Sequence, residues 1–402
     1  MQKVFVTGIG LVSALGHGVE ANRSALLAGR SGIGQATHLD SRLAASLPLG
    51  EIPYSNEELR RLVIPKDVKT PRNRQLLLGI PALRETLAGC APGEYPGSLG
   101  FINATSVAGM HEVENIYPEL IDPAVQTIDE EYADSLDCAQ GTEALARWFG
   151  FRDYIGTIST ACSSSANSIM YGIRLIQAGQ LDAAVCGGTD TLSRFTLNGF
   201  NSLKNVDHHR CRPFDENRAG LNLGEGAAYI MLESENAMKR SGRKPLAILS
   251  GYCNYNEAFH PTAPSPEGKG AYQAMAGAIQ KAGLQPKDIS YVNAHGTATE
   301  NNDIAEGMAL QRLFGNDLPP FSSTKAFTGH TLAAAGAIEA VFSVLSLLHE
   351  EIYPNLGFEN PMTGAPIIPE THARQGISLQ HILSNSFGFG GNNASLLVSR
   401  YA

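Results

Sequence analysis

An α/β fold on a buried, mostly parallel sheet is what this 402-residue chain predicts. Strand-like apolar runs alternate with segments of helical period. Two such runs, residues 4–12 and 247–252, each open a comparable half, and each half closes on a hairpin pattern. Residues 4–12 read as a first strand rather than a signal peptide, because only Lys3 precedes an apolar stretch broken by Gly8 and Gly10. Residues 154–158 form a strand pattern, and Ala166, Ile169, Ile173 and Ile176 mark the apolar stripe of the helix that follows. Residues 183–188 and 227–232 close the first half. A charged helix over 233–243 and the break at Lys244-Pro245 then divide the chain into 1–245 and 246–402. In the second half, short apolar runs precede His295 and Lys325. Residues 333–348 are apolar but interrupted by Glu339 and too short to span a bilayer, so they predict a buried helix. Residues 381–384 and 394–398 make the closing hairpin.

Composition bounds the function. With 43% hydrophobic and 17% charged residues the chain suits one large or two fused globular domains with ample core. A net charge of −9 argues against a general nucleic-acid surface. Six scattered cysteines without a CxxC pair point to reduced thiols and a cytoplasmic protein. The string His208-His209-Arg210-Cys211 lacks a second ligand pair and is flanked by arginines that would repel a cation, so no metal is expected.

The chemistry concentrates at Cys162, in Ser159-Thr160-Ala161-Cys162-Ser163-Ser164-Ser165, between a strand pattern and a helix pattern. A thiol at a helix N-terminus has its anion stabilised by about 0.3–2 kcal/mol, so a lowered thiol pKa and a nucleophile are expected here. The alternative is a buried structural cysteine. Downstream, Tyr291-Val292-Asn293-Ala294-His295-Gly296-Thr297-Ala298-Thr299 and Ser322-Ser323-Thr324-Lys325-Ala326-Phe327-Thr328-Gly329-His330 each run from a short apolar stretch into a Gly/Thr/His loop. That arrangement delivers each imidazole from a strand end, where open α/β sheets build their sites.

These strings, with 4–13, Arg212-Pro213-Phe214-Asp215, Leu223-Gly224-Glu225-Gly226-Ala227 and Ser384-Asn385-Ser386-Phe387-Gly388-Phe389-Gly390-Gly391-Asn392-Asn393, lie in the order found in one family. The chain resembles the elongating β-ketoacyl-acyl-carrier-protein synthases of the thiolase superfamily, over nearly its whole length. The resemblance implies a duplicated, five-layered α/β/α/β/α fold with two mixed sheets. It also implies an acyltransferase that condenses an acyl group held on Cys162 with malonyl-acyl carrier protein, losing CO₂. The backbone N–H groups of Cys162 and Phe389 would hold the oxyanion. Gly388, Gly390 and Gly391 would permit close backbone approach, and Phe387 and Phe389 would gate the acyl chain. His295 and His330 would bind the enolate oxygen as neutral imidazoles. Lys325 would pair with Glu339 or Glu306 and hold the His330 loop. Thr297 and Thr299 would hold phosphopantetheine, Thr262 would lie on a second gating loop, and Asp303 and Glu306 would support the histidine loop. No cofactor is implied beyond substrates carried on phosphopantetheine. The implied partners are an acidic acyl carrier protein and an identical or related subunit. Lys66, Lys69, Arg72 and Arg74 fall where the family carries its basic docking segment, with Lys204, Arg210 and Arg212 as weaker candidates.

Residues 111–152 would be the insertion that carries dimer contacts and covers the acyl tunnel. Asn301-Asn302 and Asn103-Ala104-Thr105-Ser106-Val107 depart from the family pattern, which suggests a specialised polyene or polyketide-like pathway. A thiolase would need a second cysteine near the C-terminus, and none follows Cys253. A non-catalytic chain-length factor would have lost Cys162. A starter-type synthase would pair its cysteine with one His and one Asn, and a papain-like hydrolase has no role for the second histidine.

Overall fold

The computed structural model describes residues 2–63, 73–125 and 135–401. Its framework is ten strands in two sets of five. The first set is β1 (Val4–Ser13), β2 (Leu99–Ala104), β3 (Tyr154–Ile158), β4 (Ala183–Asp190) and β5 (Gly226–Ser234). The second is β6 (Ala247–Asn256), β7 (Tyr291–Asn293), β8 (Phe321–Ser322), β9 (His381–Gly388) and β10 (Asn392–Ser399). Across the sheet the order is β8-β7-β9-β10-β6-β1-β5-β4-β2-β3. Read inward from either edge, each half therefore runs third, second, fourth, fifth, first. The directions repeat as well. β2 is parallel to β3 and β4, as β7 is to β8 and β9, while the β4/β5/β1 and β9/β10/β6 pairings are antiparallel. The halves meet where Phe5 faces Ile248 and Val6 faces Ala247. The repeat that is faint in the sequence is complete in the topology.

Among the described residues, six helices of twelve residues or more cover this framework: α1 (Arg74–Leu87), α2 (Cys138–Phe149), α3 (Ser164–Gln177), α4 (Lys269–Ala282), α5 (Glu300–Phe314) and α6 (Ala335–His349). Helices α3 and α6 pack on each other and touch strands of both halves, which makes them the central layer. Their apolar faces, including Ile169, Ile173, Val341 and Leu345, form one core with Ile102, Ile230 and Leu396. Helices α1 and α2 cover the outside of the first sheet through Leu77, Leu83, Leu145 and Tyr229. Helix α4 covers the second through Met275 and Ile279, with α5 against it. Covered on both faces, β4 and β5 are buried at every residue, which is why they read as continuous apolar runs. The apolar span Leu332–His349, the one stretch among the described residues long and apolar enough to cross a membrane, is 89% buried in this core.

Two local expectations shift. Glu233 does not begin a helix: it is buried at the end of β5, where it accepts the Tyr95 hydroxyl at 2.5 Å, and the helix is Glu235–Ser241 with Ser234 as its N-cap. The tail of the expected insertion is also part of the framework, since α2 packs on β3 and joins the outer layer.

Candidate active site

The segments that follow β3, β7 and β8, together with the end of β9, line one cavity of about 200 Å³. Past β3 the chain turns sharply, with Ala161 at φ 54°, a conformation that costs an alanine energy and is held here by its surroundings. The Ser164 hydroxyl accepts from Thr160 N–H at 2.8 Å and donates to Ala161 O at 2.5 Å, closing the turn. Cys162 sits at its apex, 5% exposed and lining the cavity. β7 ends at Asn293 and brings His295 to the same cavity, and the segment after β8 brings Lys325 and His330. Both imidazoles line the cavity with their rings 5.5 Å apart and nearly perpendicular. Sulfur and both rings, separated by 168 positions of chain between Cys162 and His330, thus share one chamber.

Lys325 lies behind the rings, 2% exposed. Its ammonium pairs with Glu339, donates to His295 O at 2.6 Å, and lies 3.2 Å from His295 Nδ1. An ammonium has no acceptor, so Nδ1 must accept and the proton of a neutral His295 is placed on Nε2. Of the two partners expected for Lys325, the structure selects Glu339. Glu306 instead accepts His295 N–H at 2.9 Å, Gly296 N–H at 2.8 Å and Asn385 Nδ2 at 3.0 Å. Asp303 accepts from Phe214 N–H at 2.8 Å and Ala298 N–H at 3.1 Å, which ties the loop after His295 to the Arg212–Asp215 segment. Burial, reinforced by the Lys325 charge, holds both histidines well below their ordinary value, so both rings are neutral near pH 7. His330 is fixed through its backbone, donating to Asn222 O at 2.7 Å and accepting from Gly224 N–H at 3.0 Å. Its Nδ1 is buried and has no partner. Burial pushes the Glu306 and Glu339 carboxyls up to about 7, in Glu339 against the pull of Lys325.

The expectation of a lowered thiol pKa is corrected. Burial pushes the Cys162 thiol up to about 11, outweighing the opposing charge of Lys325 and the hydrogen bonds from the Phe389 and Cys162 backbone. The helix proper starts at Ser164, with Ser163 as N-cap, so Cys162 stands one residue outside the end where the dipole acts most strongly.

The Gly-rich turn between β9 and β10 forms the opposite wall. A side chain at Gly388 would press on Thr160 O, Ser163 Oγ and Cys162 N at 3.0–3.3 Å, so the missing Cβ lets the two turns touch. Gly391, at φ 79°, lies against Glu257 O with no room for a Cβ. Phe387 packs beside His295 at 5.7 Å between ring centres, and Phe389 stacks on Phe200 at 5.5 Å. Gly390 N–H donates to Pro261 O at 2.7 Å, linking this turn to the loop that holds Thr262. Thr262, Thr297 and Thr299 all line the cavity, the last two joined by a 2.8 Å hydroxyl contact.

The basic docking residues fare differently. Lys66, Lys69 and Arg72 lie outside the described residues. Arg74 is not available to a partner: it is 3% exposed and forms a two-armed ion pair with Glu225, at 2.5 and 2.8 Å. Among the described residues Arg74 is the cation that meets the buried Glu225 carboxylate, which makes it an internal strut. Lys204, a weaker candidate, is exposed at the cavity rim. Sequence reasoning also missed Asn167, Asn254 and Asn392, which bond to one another behind Cys162. Their only signal was the position of Asn392 at the end of the Gly-rich string.

Comparison with known proteins places these features in context. The family described as Beta-ketoacyl synthase, N-terminal domain, matches residues 128–237, and that described as Beta-ketoacyl synthase, C-terminal domain, matches residues 246–359. The chain is 30% identical to 3-oxoacyl-[acyl-carrier-protein] synthase 2 of Staphylococcus aureus (strain N315), covering 100% of this chain and 99% of that protein. It is 32% identical to the protein of the same name from Vibrio cholerae serotype O1, covering 99% of each. Among solved structures, one described as the ishigamide ketosynthase/chain length factor aligns with TM-score 0.92 and 28% identity over all of both chains. The ketosynthase ApeO in complex with its chain length factor ApeC from Xenorhabdus doucetiae aligns with TM-score 0.82 and 31% identity, covering 100% of this chain and 98% of that one.

Proposed function

Because the chain belongs to the β-ketoacyl synthase family, we propose that its cavity carries out a decarboxylative Claisen condensation between an acyl group on Cys162 and a malonyl group, both delivered on the phosphopantetheine arm of an acyl carrier protein. The chain is an acyltransferase of the ketosynthase type. The observation that carries the residue assignment is the convergence of Cys162, His295 and His330 on one cavity whose two imidazoles are neutral.

In the first half-reaction Cys162 Sγ attacks the thioester carbonyl. The C–S bond to the carrier breaks, and the thiol proton ends on the departing pantetheine sulfur. Backbone N–H groups of Cys162 and Phe389, which pull the thiol pKa down against burial, are the donors for the tetrahedral oxyanion. In the second, the malonyl C–C bond breaks to release CO₂ and its electron pair forms an enolate. The Nε2–H that Lys325 imposes on His295, with a second donor from His330, stabilises the enolate oxygen. Removing one donor of this kind costs about 10²–10³ in rate. The enolate carbon then attacks the acyl carbonyl on Cys162, forming the new C–C bond and releasing the sulfur. Thr297 and Thr299 offer hydroxyls to the pantetheine arm, and Phe387 and Phe389 gate the acyl chain. Lys204, together with Lys66, Lys69 and Arg72, supplies the charge opposite an acidic carrier. No further cofactor enters these steps.

A second arrangement, in which this chain is the catalytic half of a heterodimer, is supported by the neighbours described as ketosynthase with chain length factor. Retention of Cys162 assigns this chain the ketosynthase role in such a pair. The departures at 103–107 favour a specialised acyl substrate over housekeeping fatty-acid synthesis, and six free cysteines suit the cytoplasm. Incubation with acyl-carrier thioesters of graded length and unsaturation tests the reaction. A covalent acyl adduct on Cys162 by intact mass, abolished in Cys162→Ala while malonyl decarboxylation persists, is the expected result. No adduct with any carrier would overturn it.

A further inference from the structure

Three asparagines from three separate segments converge where the nucleophile turn meets the Gly-rich turn. The Asn392 side-chain oxygen receives Asn167 Nδ2 at 2.8 Å and Asn254 Nδ2 at 2.7 Å, and lies 2.7 Å from Ser163 Oγ, whose single proton it shares with Thr160 O at 2.8 Å. The amide of Asn254 also reaches Asn167 Oδ1 at 2.8 Å, and that of Asn167 reaches Thr160 Oγ1 at 2.8 Å. Strand register explains the meeting. Asn254 on β6 faces Ala394 on β10, so Asn392 is its diagonal neighbour on the same face. Asn167 lies four residues after the N-cap Ser163, one helical turn on, and therefore stands over it.

This cluster joins the segment on either side of Cys162 to the residue that ends the Phe389 turn. Those two segments touch at Gly388 and carry the backbone N–H groups of Cys162 and Phe389 proposed above as the oxyanion donors. Their separation is set by nothing covalent, since Cys162 and Phe389 are 227 positions apart in the chain. Donors from both sides gathered on a single oxygen fix that separation in a way that a chain of single bonds would not, because moving Asn392 disturbs all of them together.

We propose that Asn392, braced by Asn167 and Asn254, is a positioning residue that sets the spacing of the two oxyanion donors, and so controls acyl transfer to Cys162 but not decarboxylation at the histidines. The inference rests on the proposed role of the Phe389 and Cys162 N–H groups. Near-isosteric Asn392→Leu removes the acceptor, while Asn392→Asp keeps it. A misplacement on the order of 1 Å at a reacting centre costs roughly 10²-fold. In Asn392→Leu, acylation of Cys162 by an acyl-pantetheine thioester is therefore expected to fall about 10- to 100-fold. Release of CO₂ from malonyl-pantetheine stays near wild type, and Asn392→Asp restores acylation. Should Asn392→Leu not fold, Asn254→Leu, which removes one of the three donors, is read by the same ratio of acylation to decarboxylation. A parallel fall in both rates, an unchanged ratio, or failure of the aspartate to restore acylation overturns the proposal. Failure of the wild-type protein to acylate at all would instead overturn the proposed function.

Discussion

Replacing Lys325 by methionine separates what this residue does for the fold from what it does for chemistry. Its ammonium, 2% exposed, meets Glu339, the His295 carbonyl at 2.6 Å and His295 Nδ1 at 3.2 Å. Methionine keeps the bulk and strips Glu339 of its cation, so the carboxyl, already at about 7 beside Lys325, must take up a proton or stay buried and uncompensated, at a cost of up to about 3–5 kcal/mol of stability. It also frees the His295 tautomer, so the proton is no longer confined to Nε2. The expected chemical effect is the loss of one enolate donor, a fall of about 10²–10³ in decarboxylation. The double variant Lys325→Met/Glu339→Leu separates the two effects, because replacing both members of a buried ion pair by apolar groups is often close to neutral. Urea unfolding should show the single variant destabilised and the double variant recovered. CO₂ release from a malonyl thioester should remain low in both. Wild-type decarboxylation in the single variant would refute the tautomer argument, and recovery of rate along with stability in the double variant would reduce Lys325 to a structural cation.

Two further outcomes follow from the buried groups. With its thiol at about 11, Cys162 should react with iodoacetamide at a rate that rises about tenfold per pH unit from 7 to 10, since only the thiolate reacts. A plateau below pH 8 would restore the lowered value the sequence suggests. The Glu306 carboxyl, ordinarily at 4.5 and raised by burial to about 7, binds its proton more tightly in the folded state. Its contribution is therefore full below about 4.5 and is lost as pH rises through about 7, a change of about 3 kcal/mol. The two histidines have the opposite sign, losing stability as pH falls below 6.5. The informative quantity is therefore the difference in unfolding free energy between wild type and Glu306→Gln. It should drift in favour of the variant between pH 4.5 and 7, and a flat difference would mean that the carboxyl is not raised.

What the sequence made legible was chemistry tied to strand ends. Cys162, His295, Lys325 and His330 each follow a short apolar run, and a run that must be buried fixes where the next loop emerges. That is why residues so distant in sequence could be assigned to one cavity. The duplication showed only in outline, as two opening strands and two closing hairpins, because the two halves share strand order and direction but hardly any residues, and a buried strand accepts many apolar sequences. Arg74 was misplaced for a related reason. A basic residue beside Lys66, Lys69 and Arg72 looks like part of a surface cluster until Glu225, 151 positions away, is seen to meet it. Asn392 shows only as the end of the Gly-rich string, and Asn167 and Asn254 carry no local signature. Each is an ordinary polar residue in its own segment, and the role proposed for them depends on the register that brings them together.

The error over Cys162 has the same root and a chemical consequence. The helix end offers a thiolate at most about 2 kcal/mol, whereas enclosure by the Gly-rich turn, Phe387 and the two histidines removes the water on which the anion depends. A local rule judged the attraction correctly and missed the larger opposing term, because burial is a property of the assembled fold. With its thiol raised to about 11, Cys162 would be held as the thiol near neutral pH. The thiolate is the form that oxidants and stray electrophiles attack, so this arrangement shields the sulfur until a thioester occupies the cavity. In the proposed reaction the Cys162 and Phe389 N–H groups would meet an oxyanion only once a thioester is bound, so activation would belong to the bound complex rather than to the free enzyme.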